Sequence, residues 1–211
     1  DYEHIDAVDV KMFNADMNSL LAGKPVKRRI FDFKAQSPVF MDEELRLGDQ
    51  EVLIVEGIHG LNPILTADVS RNQKFLIFLS ALTQIGIDDG NVLSTTDNRL
   101  IRRIVRDHLF RGHSALNTIK MWPSVRRGEE RWIFPFQDMA DVSLNTALDY
   151  EVAVLRPFVE PLLAEVKPHN PEYATARRIQ RVLANFHSIS PTAVPGDSIL
   201  REYIGGSQLK Y

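Results

Sequence analysis

Hydrophobic and polar residues follow two different periods along the chain, which predicts both helices and strands. Residues 8–21 carry apolar side chains at helical spacing. Asp6 or Asp9 can cap this helix, because a side-chain carboxylate accepts hydrogen bonds from the first turn. Residues 30–33 alternate as a short strand does, and residues 34–50 are polar and rich in turn formers. The chain is therefore predicted to open with a helix, a strand and a turn-rich segment.

Two continuous apolar runs, Val52–Val55 and Lys74–Leu79, predict strands that are buried on both faces. Such runs are typical of parallel sheets, which helices cover on both sides. Residues 141–145 form a further short strand candidate. Strands that alternate with helices indicate an α/β layered fold.

The remaining apolar periodicity predicts four helices and an irregular tail. The first helix covers about 98–110 and is capped by Thr95, Thr96 or Asp97, and the second lies within 114–131 and is interrupted near Pro123. The third covers 148–166 and is bent at Pro157 and Pro161. The fourth uses Ile179, Val182, Leu183 and Phe186, and a loop-like tail follows over 191–211. The turn-forming segment 167–171 is the predicted boundary. It divides a main domain, residues 1–166, from a C-terminal helix and tail extension, residues 167–211.

Composition narrows the classes of function. The 211 residues have a net charge of −3, so no basic excess favours nucleic acid. The chain has no cysteine, which excludes a disulfide scaffold and a thiol nucleophile. No apolar run approaches the ~20 residues of a membrane helix, and a cytoplasmic location is expected. The first residue is Asp1 rather than Met, from which we expect a piece of a longer polypeptide.

Four arginines define the most distinctive helix. Arg99, Arg102, Arg103 and Arg106 share one face, opposite Ile101, Ile104 and Val105. Guanidinium groups are suited to bidentate contact with phosphate, so this face is a candidate anion site. The alternative is a solvated face that is paired with acids such as Asp97 and Asp107.

Further candidates are a carboxylate, a basic segment and an acidic opening. Glu56 ends a predicted buried strand, where an acid can orient Mg²⁺ or its waters, although the pattern alone favours a solvated acid at a strand end. Arg126 and Arg127 open a charged run that is either a mobile loop or helix end closing over phosphates, or an ordinary surface. Asp1 to Asp9 contain four acids and a histidine, which could bind a metal or a polyol, or could cap the helix that follows.

No phosphate-binding G-x-x-x-x-G-K-[ST] motif occurs in these residues. Gly23-Lys24 is the one Gly-Lys pair, Pro25 follows it, and Asn18 stands where the first glycine would be.

Several segments, in order and at compatible spacing over residues 1–166, resemble the uridine kinase and phosphoribulokinase family. The residues that carry this resemblance are Tyr2–Asp9 (YEHIDAVD), Leu20–Val26 (LLAGKPV), Ile30–Phe33 (IFDF), Val55–Ile58 (VEGI), Arg99–Asp107 (RLIRRIVRD) with Arg111-Gly112, and Ala140–Val142 (ADV). Residues 31–34, 56–63, 121–130 and 198–207 look like the bacterial branch that carries a TGS domain ahead of the kinase domain.

This resemblance implies a three-layer P-loop kinase-like domain, with a mainly parallel sheet flanked by helices, that uses ATP and Mg²⁺ to phosphorylate a nucleoside 5′-hydroxyl. In the family, the P-loop and the general-base Asp precede the segment that matches Glu3, so both are expected outside this chain, and a fragment without them is not expected to be active alone. On the nucleoside side, the implied roles are ribose binding by Glu3, base contact by Phe31 and Gln36, and nucleoside contact by Arg103 and His113. On the phosphate side, they are contact by the lid residues Arg106, Arg111, Arg126 and Arg127, and Mg²⁺ binding by Glu56. Phe31, Gln36 and His113 depart from the family's Tyr, His and Arg, which puts uridine itself in doubt.

Two alternatives stay open beside a nucleoside kinase. One is a kinase of the same fold acting on another small alcohol or sugar. The other is a non-catalytic regulatory module associated with RNA or nucleotides through its arginines. A homo-oligomer also stays open, since nothing in the sequence decides the number of subunits.

Overall fold

The computed structural model describes residues 3–32 and 37–209 and shows a mixed α/β chain. Its helices are α1 (Val10–Leu21), α2 (Thr95–Arg111), α3 (Ala115–Trp132), α4 (Glu151–Ala164), α5 (Tyr173–Leu183) and α6 (Arg201–Ile204). Its strands are β1 (Val26–Asp32), β2 (Ser37–Leu45), β3 (Ile77–Ser80) and β4 (Val142–Asn145). They form two compact units, residues 1–78 with 127–142 and residues 79–126 with 143–211. We call these unit 1 and unit 2.

Unit 1 is built around α1 and a hairpin. Asp9 caps α1 by accepting a hydrogen bond from the Met12 N–H (3.0 Å), which confirms one of the two predicted caps. The buried Asn14 joins α1 to a neighbouring loop, because its side chain donates to the Leu65 carbonyl (3.1 Å) and accepts from the Asp68 N–H (3.0 Å). An amide that satisfies both loop groups fixes the loop on the helix.

The segment predicted to be turn-rich, residues 34–50, is a strand over residues 37–45, because β2 pairs with β1 as an antiparallel hairpin. The register places Val26 opposite Leu45 and Asp32 opposite Ser37. All of β2 is exposed, and Pro38 and the acidic run Asp42–Glu44 favour a turn or loop in a pattern that looks for buried strands.

The prediction of a buried strand over Val52–Val55 is wrong. This segment is irregular, and Val52 and Ile54 are 85% and 86% exposed. An apolar run becomes a buried strand only where neighbouring strands and layers cover it, and the described residues place none there. The run at Lys74–Leu79 is confirmed in part: β3 begins only at Ile77, and its side chains alternate between exposed and half-buried.

The β4 strand is confirmed, and it lies parallel to β3. The Asp141 N–H donates to the Leu76 carbonyl and the Thr146 N–H donates to the Ser80 carbonyl, both at 2.8 Å. Side chains secure both ends of this two-stranded sheet. The Asp141 carboxylate accepts from the Leu76 N–H (2.7 Å), and Asn145 makes two hydrogen bonds of 2.9 Å with the backbone of Leu82. The hydrogen bond from the Leu76 N–H and the hydrogen bond from Arg71 hold the pKa of the Asp141 carboxyl below its usual value.

Unit 2 contains the largest hydrophobic core, which α2, α3, α4 and α5 share. The predicted inner residues of α5 are confirmed, since Ile179 and Leu183 are fully buried. Pro123 does not interrupt α3, contrary to expectation. Proline inside a helix costs about 3 kcal/mol, but Pro123 is exposed and the apolar residues around it, Ile119 and Val125, are buried. Their burial offsets the lost hydrogen bond.

The tail is anchored rather than loop-like throughout. Leu200 is fully buried and Val194 is 4% exposed, both in the core of unit 2. The short helix α6 follows Leu200 directly. The predicted boundary at residue 167 stays a prediction about chain organisation, while the tertiary structure packs residues from both sides of it into one unit. No helix within the described ranges combines the length and hydropathy needed to cross a bilayer.

Candidate active site

Helix α2 presents the arginine face that the sequence predicts. Ile101, Ile104 and Val105 are fully buried, so the opposite face of the helix packs on the core as expected. The N-terminal cap is Ser94, whose Oγ accepts from the Asp97 N–H (3.0 Å), and not Thr95, Thr96 or Asp97, which all lie inside the helix. Gly112 ends the helix in the left-handed region, with φ of 67°, which a glycine adopts without strain.

Arg102 differs from its neighbours because it is buried. Its guanidinium forms an ion pair with Glu151, which is fully buried, and Asn98 donates to the other oxygen of the same carboxylate. The guanidinium also lies 5.3 Å from the centre of the Tyr203 ring. Arg102 therefore supports the fold and not an anion site. Glu151 was not singled out from the sequence, although an acid inside an apolar run (residues 150–155) is a signal that points to a buried partner.

Asp107 organises the C-terminal end of α2. Its carboxylate is almost fully buried and accepts from Arg111 (3.0 Å) and from the Thr118 hydroxyl (3.1 Å), with the Arg103 Nε at 3.5 Å. The spacing of four residues on either side of Asp107 makes both arginine contacts possible. Part of the solvated-face alternative is thus confirmed, since Asp107 does pair with arginines of its own helix. Asp97 pairs instead with Arg178 of α5, and this bond raises the pKa of Arg178.

Arg106 extends from α2 to the C-terminal tail. One terminal nitrogen of its guanidinium lies 2.9 Å from a carboxylate oxygen of Glu202 in α6. Both side chains are partly exposed, at 43% and 39%. Arg111, at 46%, is exposed to a similar degree. Two of the predicted phosphate-contacting arginines are therefore accessible and held by carboxylates.

His113 lies immediately after the end of α2. Its backbone N–H donates to the Asp107 carbonyl (3.0 Å), which fixes the residue beside the Asp107 cluster. The imidazole is half-buried, and its Nδ1 atom has no hydrogen-bond partner among residues 3–32 and 37–209. This nitrogen is enclosed by protein, so contact with a ligand would require the imidazole to move.

The basic segment at Arg126 and Arg127 is neither a mobile loop nor a helix end, because both residues lie inside α3. Arg126 is half-buried and Arg127 is exposed. Three turns of helix precede them, and the apolar residues of those turns hold the helix on the core. Contact of Arg126 and Arg127 with phosphates stays a prediction. Closure by a flexible loop is wrong, because both residues are helical.

Glu56 is exposed at the end of the irregular segment 51–56 and not at the end of a buried strand. The described ranges contain no group of three acidic or histidine side chains placed to hold a metal. Mg²⁺ that arrives with a nucleotide needs only one or two protein carboxylates, since phosphates and water supply its other ligands. An exposed carboxylate such as that of Glu56 fits this limited requirement.

Glu3 is packed against a glycine of α3. A Cβ atom added to Gly128 would lie 2.7 Å from the Glu3 Cβ, so the two backbones approach closely. Beside it, the His4 ring lies 4.3 Å from the Trp132 ring, and the His4 side chain accepts from the Asp6 N–H. His4 thus caps a short 3₁₀ turn, Ile5–Ala7, whereas the predicted cap of the following helix is made by Asp9.

His59 is a buried histidine that the sequence did not single out. It is 5% exposed, and burial is the main cause that lowers its pKa, against smaller raising effects from the carbonyls of His4 and Trp132 and from Glu3. Asn62, also buried, donates to the Trp132 carbonyl (3.3 Å). A histidine between glycines, as in Gly57–Gly60, gives no signal of burial by itself.

Two predicted base contacts are not described. Gln36 and the side chain of Phe31 lie outside the described part of the chain. Within unit 2, the structure brings Arg103, Arg111 and His113 together around Asp107, with Arg106 on the same helix.

Known proteins place this chain in a family. Residues 1–153 match the phosphoribulokinase / uridine kinase family. The chain is 30% identical over 168 residues to the uridine kinase of Streptococcus pyogenes serotype M5, across 78% of this chain and 72% of that protein. It is 29% identical to the uridine kinase of Streptococcus uberis, across 78% of this chain and 71% of that protein. It is 28% identical to uridine kinase-like protein 5 of Arabidopsis thaliana, across 72% of this chain and 29% of that protein. The chain therefore belongs to the phosphoribulokinase/uridine kinase family.

Proposed function

We propose that the protein is an ATP-dependent nucleoside kinase with a three-layer P-loop kinase-like fold. In the proposed reaction the nucleoside 5′-hydroxyl oxygen forms a bond to the γ-phosphorus of ATP while the bond from that phosphorus to ADP breaks. Family membership supports the phosphotransferase class, and the names of the streptococcal relatives support a nucleoside as acceptor.

The observation that carries the proposal is the difference in exposure among the arginines of α2. Arg102 is buried against Glu151, whereas Arg106 and Arg111 present partly exposed guanidinium groups on the same helix. Phosphoryl transfer depends mainly on positioning and on neutralising the charge of the transferred group. Arg106 and Arg111 are suited to that task, because a guanidinium stays charged and can contact two phosphate oxygens at once.

The other proposed roles follow the sequence resemblance. Glu3 would hold the ribose hydroxyls, while Phe31, Gln36, Arg103 and His113 would contact the nucleoside.

Arg126 and Arg127 would contact phosphates from α3. Mg²⁺ would neutralise charge on the phosphates of ATP, and Glu56 would supply an oxygen ligand to it or to its water. Kinship with the branch that carries a TGS domain, the cytoplasmic location and the position of the P-loop and general base outside these residues stay predictions from sequence.

The test is the Arg106→Ala variant in the complete protein. We expect kcat to fall at least about 100-fold with little change in the nucleoside KM, because the lost charge acts on the transferred group and not on the bound nucleoside. Arg177→Ala is the matched control, since Arg177 is an exposed arginine of α5 that bonds Gln180 (2.8 Å). Equal rates for Arg106→Ala and the parent protein would refute the assignment of Arg106.

The substrate is tested with radiolabelled ATP and a panel of acceptors that includes uridine, cytidine, other nucleosides and simple sugars. The departures at Phe31, Gln36 and His113 make uridine the acceptor that most needs testing. Transfer to a sugar alone would favour the second kinase reading. No transfer, together with RNA binding that weakens steeply with salt, would favour the non-catalytic module.

A further inference from the structure

We propose that Glu202 is a positioning residue, which holds the Arg106 guanidinium in place for phosphoryl transfer. The proposal rests on the proposed function of Arg106. Its direct observation is the 2.9 Å ion pair between a terminal nitrogen of Arg106 and a carboxylate oxygen of Glu202. The tail residues after 190 would then contribute to the function of α2 as well as to the packing of unit 2.

The helix that carries Glu202 is firmly held in unit 2. Leu200, directly before α6, is fully buried in the core. Arg201 donates to four carbonyls of the tail, those of Pro191 (3.1 Å), Val194, Pro195 (3.3 Å) and Gly205 (3.4 Å), and so fixes α6 and the turn that leads into it. A carboxylate on such a support keeps its place when the arginine beside it moves.

A second contact sets α6 against α2. The Tyr203 ring lies 5.3 Å from the Arg102 guanidinium, which the buried Glu151 carboxylate immobilises. Two adjacent tail residues therefore meet two arginines of one helix face, which are four positions apart and so one turn apart. This match favours a built contact over a chance meeting of surface charges.

The geometry leaves Arg106 able to bind phosphate while Glu202 holds it. A guanidinium has five N–H donors in a planar fork, and the pair with Glu202 engages one terminal nitrogen. An arginine side chain has many rotamers, and restricting them before the reaction removes an entropic barrier from the reaction itself. A partly exposed ion pair changes an equilibrium by up to about fivefold, which sets the expected size of the effect on kcat.

The experiment compares Glu202→Gln with Glu160→Gln in the complete protein. Glu160 is the matched control, because it is 43% exposed and pairs with Arg156 of the same helix at 3.0 Å. We expect Glu202→Gln to lower kcat by about three- to fivefold without changing the nucleoside KM, and Glu160→Gln to leave both constants unchanged. A rise in kcat for Glu202→Gln would show that the carboxylate inhibits Arg106 and would overturn the proposal.

A double-mutant cycle shows whether Glu202 acts through Arg106. In the Arg106→Ala background, Glu202→Gln is expected to have no further effect on kcat, whereas an independent role would give the same fold-change in both backgrounds. A full effect of Glu202→Gln in that background overturns the proposal.

Side-chain NMR of the arginine Nε–H groups separates this proposal from the function of Arg106. We expect the Arg106 signal to exchange faster with water in Glu202→Gln than in the parent protein. If that signal is unchanged, Glu202 does not position Arg106, whatever the kinetics show. If the signal changes but Arg106→Ala retains full activity, the positioning stands and the proposed function of Arg106 fails.

Discussion

Asp107 is predicted to hold the C-terminal half of α2 together, and Asp107→Asn tests this directly. The carboxylate takes a hydrogen bond from Arg111 at 3.0 Å and one from Thr118 at 3.1 Å, and Arg103 lies 3.5 Å away. The residue as a whole is fully buried. Asparagine has an NH₂ group in place of one carboxylate oxygen. This change removes the negative charge and puts a hydrogen-bond donor where every neighbouring group is also a donor.

The expected loss of stability follows from these contacts. Hydrogen bonds to charged groups contribute about 1.5–3 kcal/mol each and neutral ones about 1 kcal/mol. Asparagine keeps one oxygen for Arg111, and the Thr118 hydroxyl can turn to accept from the new amide. Arg103 and Arg111 are partly exposed, so water compensates them in part for the lost charge. We therefore expect Asp107→Asn to lower the free energy of unfolding of unit 2 by about 2 kcal/mol.

The assay is urea unfolding followed by tryptophan fluorescence. The chain has two tryptophans, of which Trp122 lies in the core of unit 2 and Trp132 in unit 1. A Trp132→Phe background leaves Trp122 as the reporter of unit 2 alone. With a slope of about 1–3 kcal/mol per molar urea, a 2 kcal/mol loss lowers the midpoint by about 1 M.

Thr118→Val is the comparison for this prediction. It removes one neutral donor and leaves Asp107 with its arginines, so a loss of about 1 kcal/mol is expected. The reasoning is refuted if Asp107→Asn loses less than about 0.5 kcal/mol, or if Thr118→Val loses more than Asp107→Asn.

Two further predictions concern unit 1. Gly128→Ala should lower the Tm, because the new Cβ would lie 2.7 Å from the Glu3 side chain and 3.2 Å from its backbone, and this clash outweighs the preference of alanine for helix of about 1 kcal/mol. Ser124→Ala in the same helix is the control and should not lower the Tm. A higher Tm for Gly128→Ala would contradict the close approach of the two backbones. His59→Gln should flatten the pH dependence of the free energy of unfolding. Burial lowers the pKa of His59, so the unfolded chain binds a proton at this side chain before the folded protein does, and the parent protein loses stability as the pH falls below 6.5. His59→Gln should lack this loss, whereas the control His169→Gln, at an exposed site, should keep it. Equal slopes for the parent and His59→Gln between pH 7 and pH 5 would count against the burial of His59.

Some elements could be predicted from the residues alone, because their signals act within one or two turns of the chain. The period of α2 fixed which of its faces is buried, because Ile101, Ile104 and Val105 must leave water together. The cap of α1 at Asp9 and the end of α2 at Gly112 also follow from single residues, since a side-chain acceptor and a left-handed backbone act within one turn. The motifs of residues 1–153 likewise indicated the family that the comparison with known proteins confirmed.

The groups that those elements contact depend on folding in three dimensions. Hydropathy shows that Val52–Val55 would gain from burial, but burial requires other layers, and the described residues leave the run exposed. A stripe of four arginines is chemically uniform in sequence, yet the buried Glu151 makes Arg102 structural, while Arg106 meets a tail residue 96 positions later in the chain. Electrostatic partners are set by distance in space, and one-dimensional spacing reports that distance only within a helix or a strand.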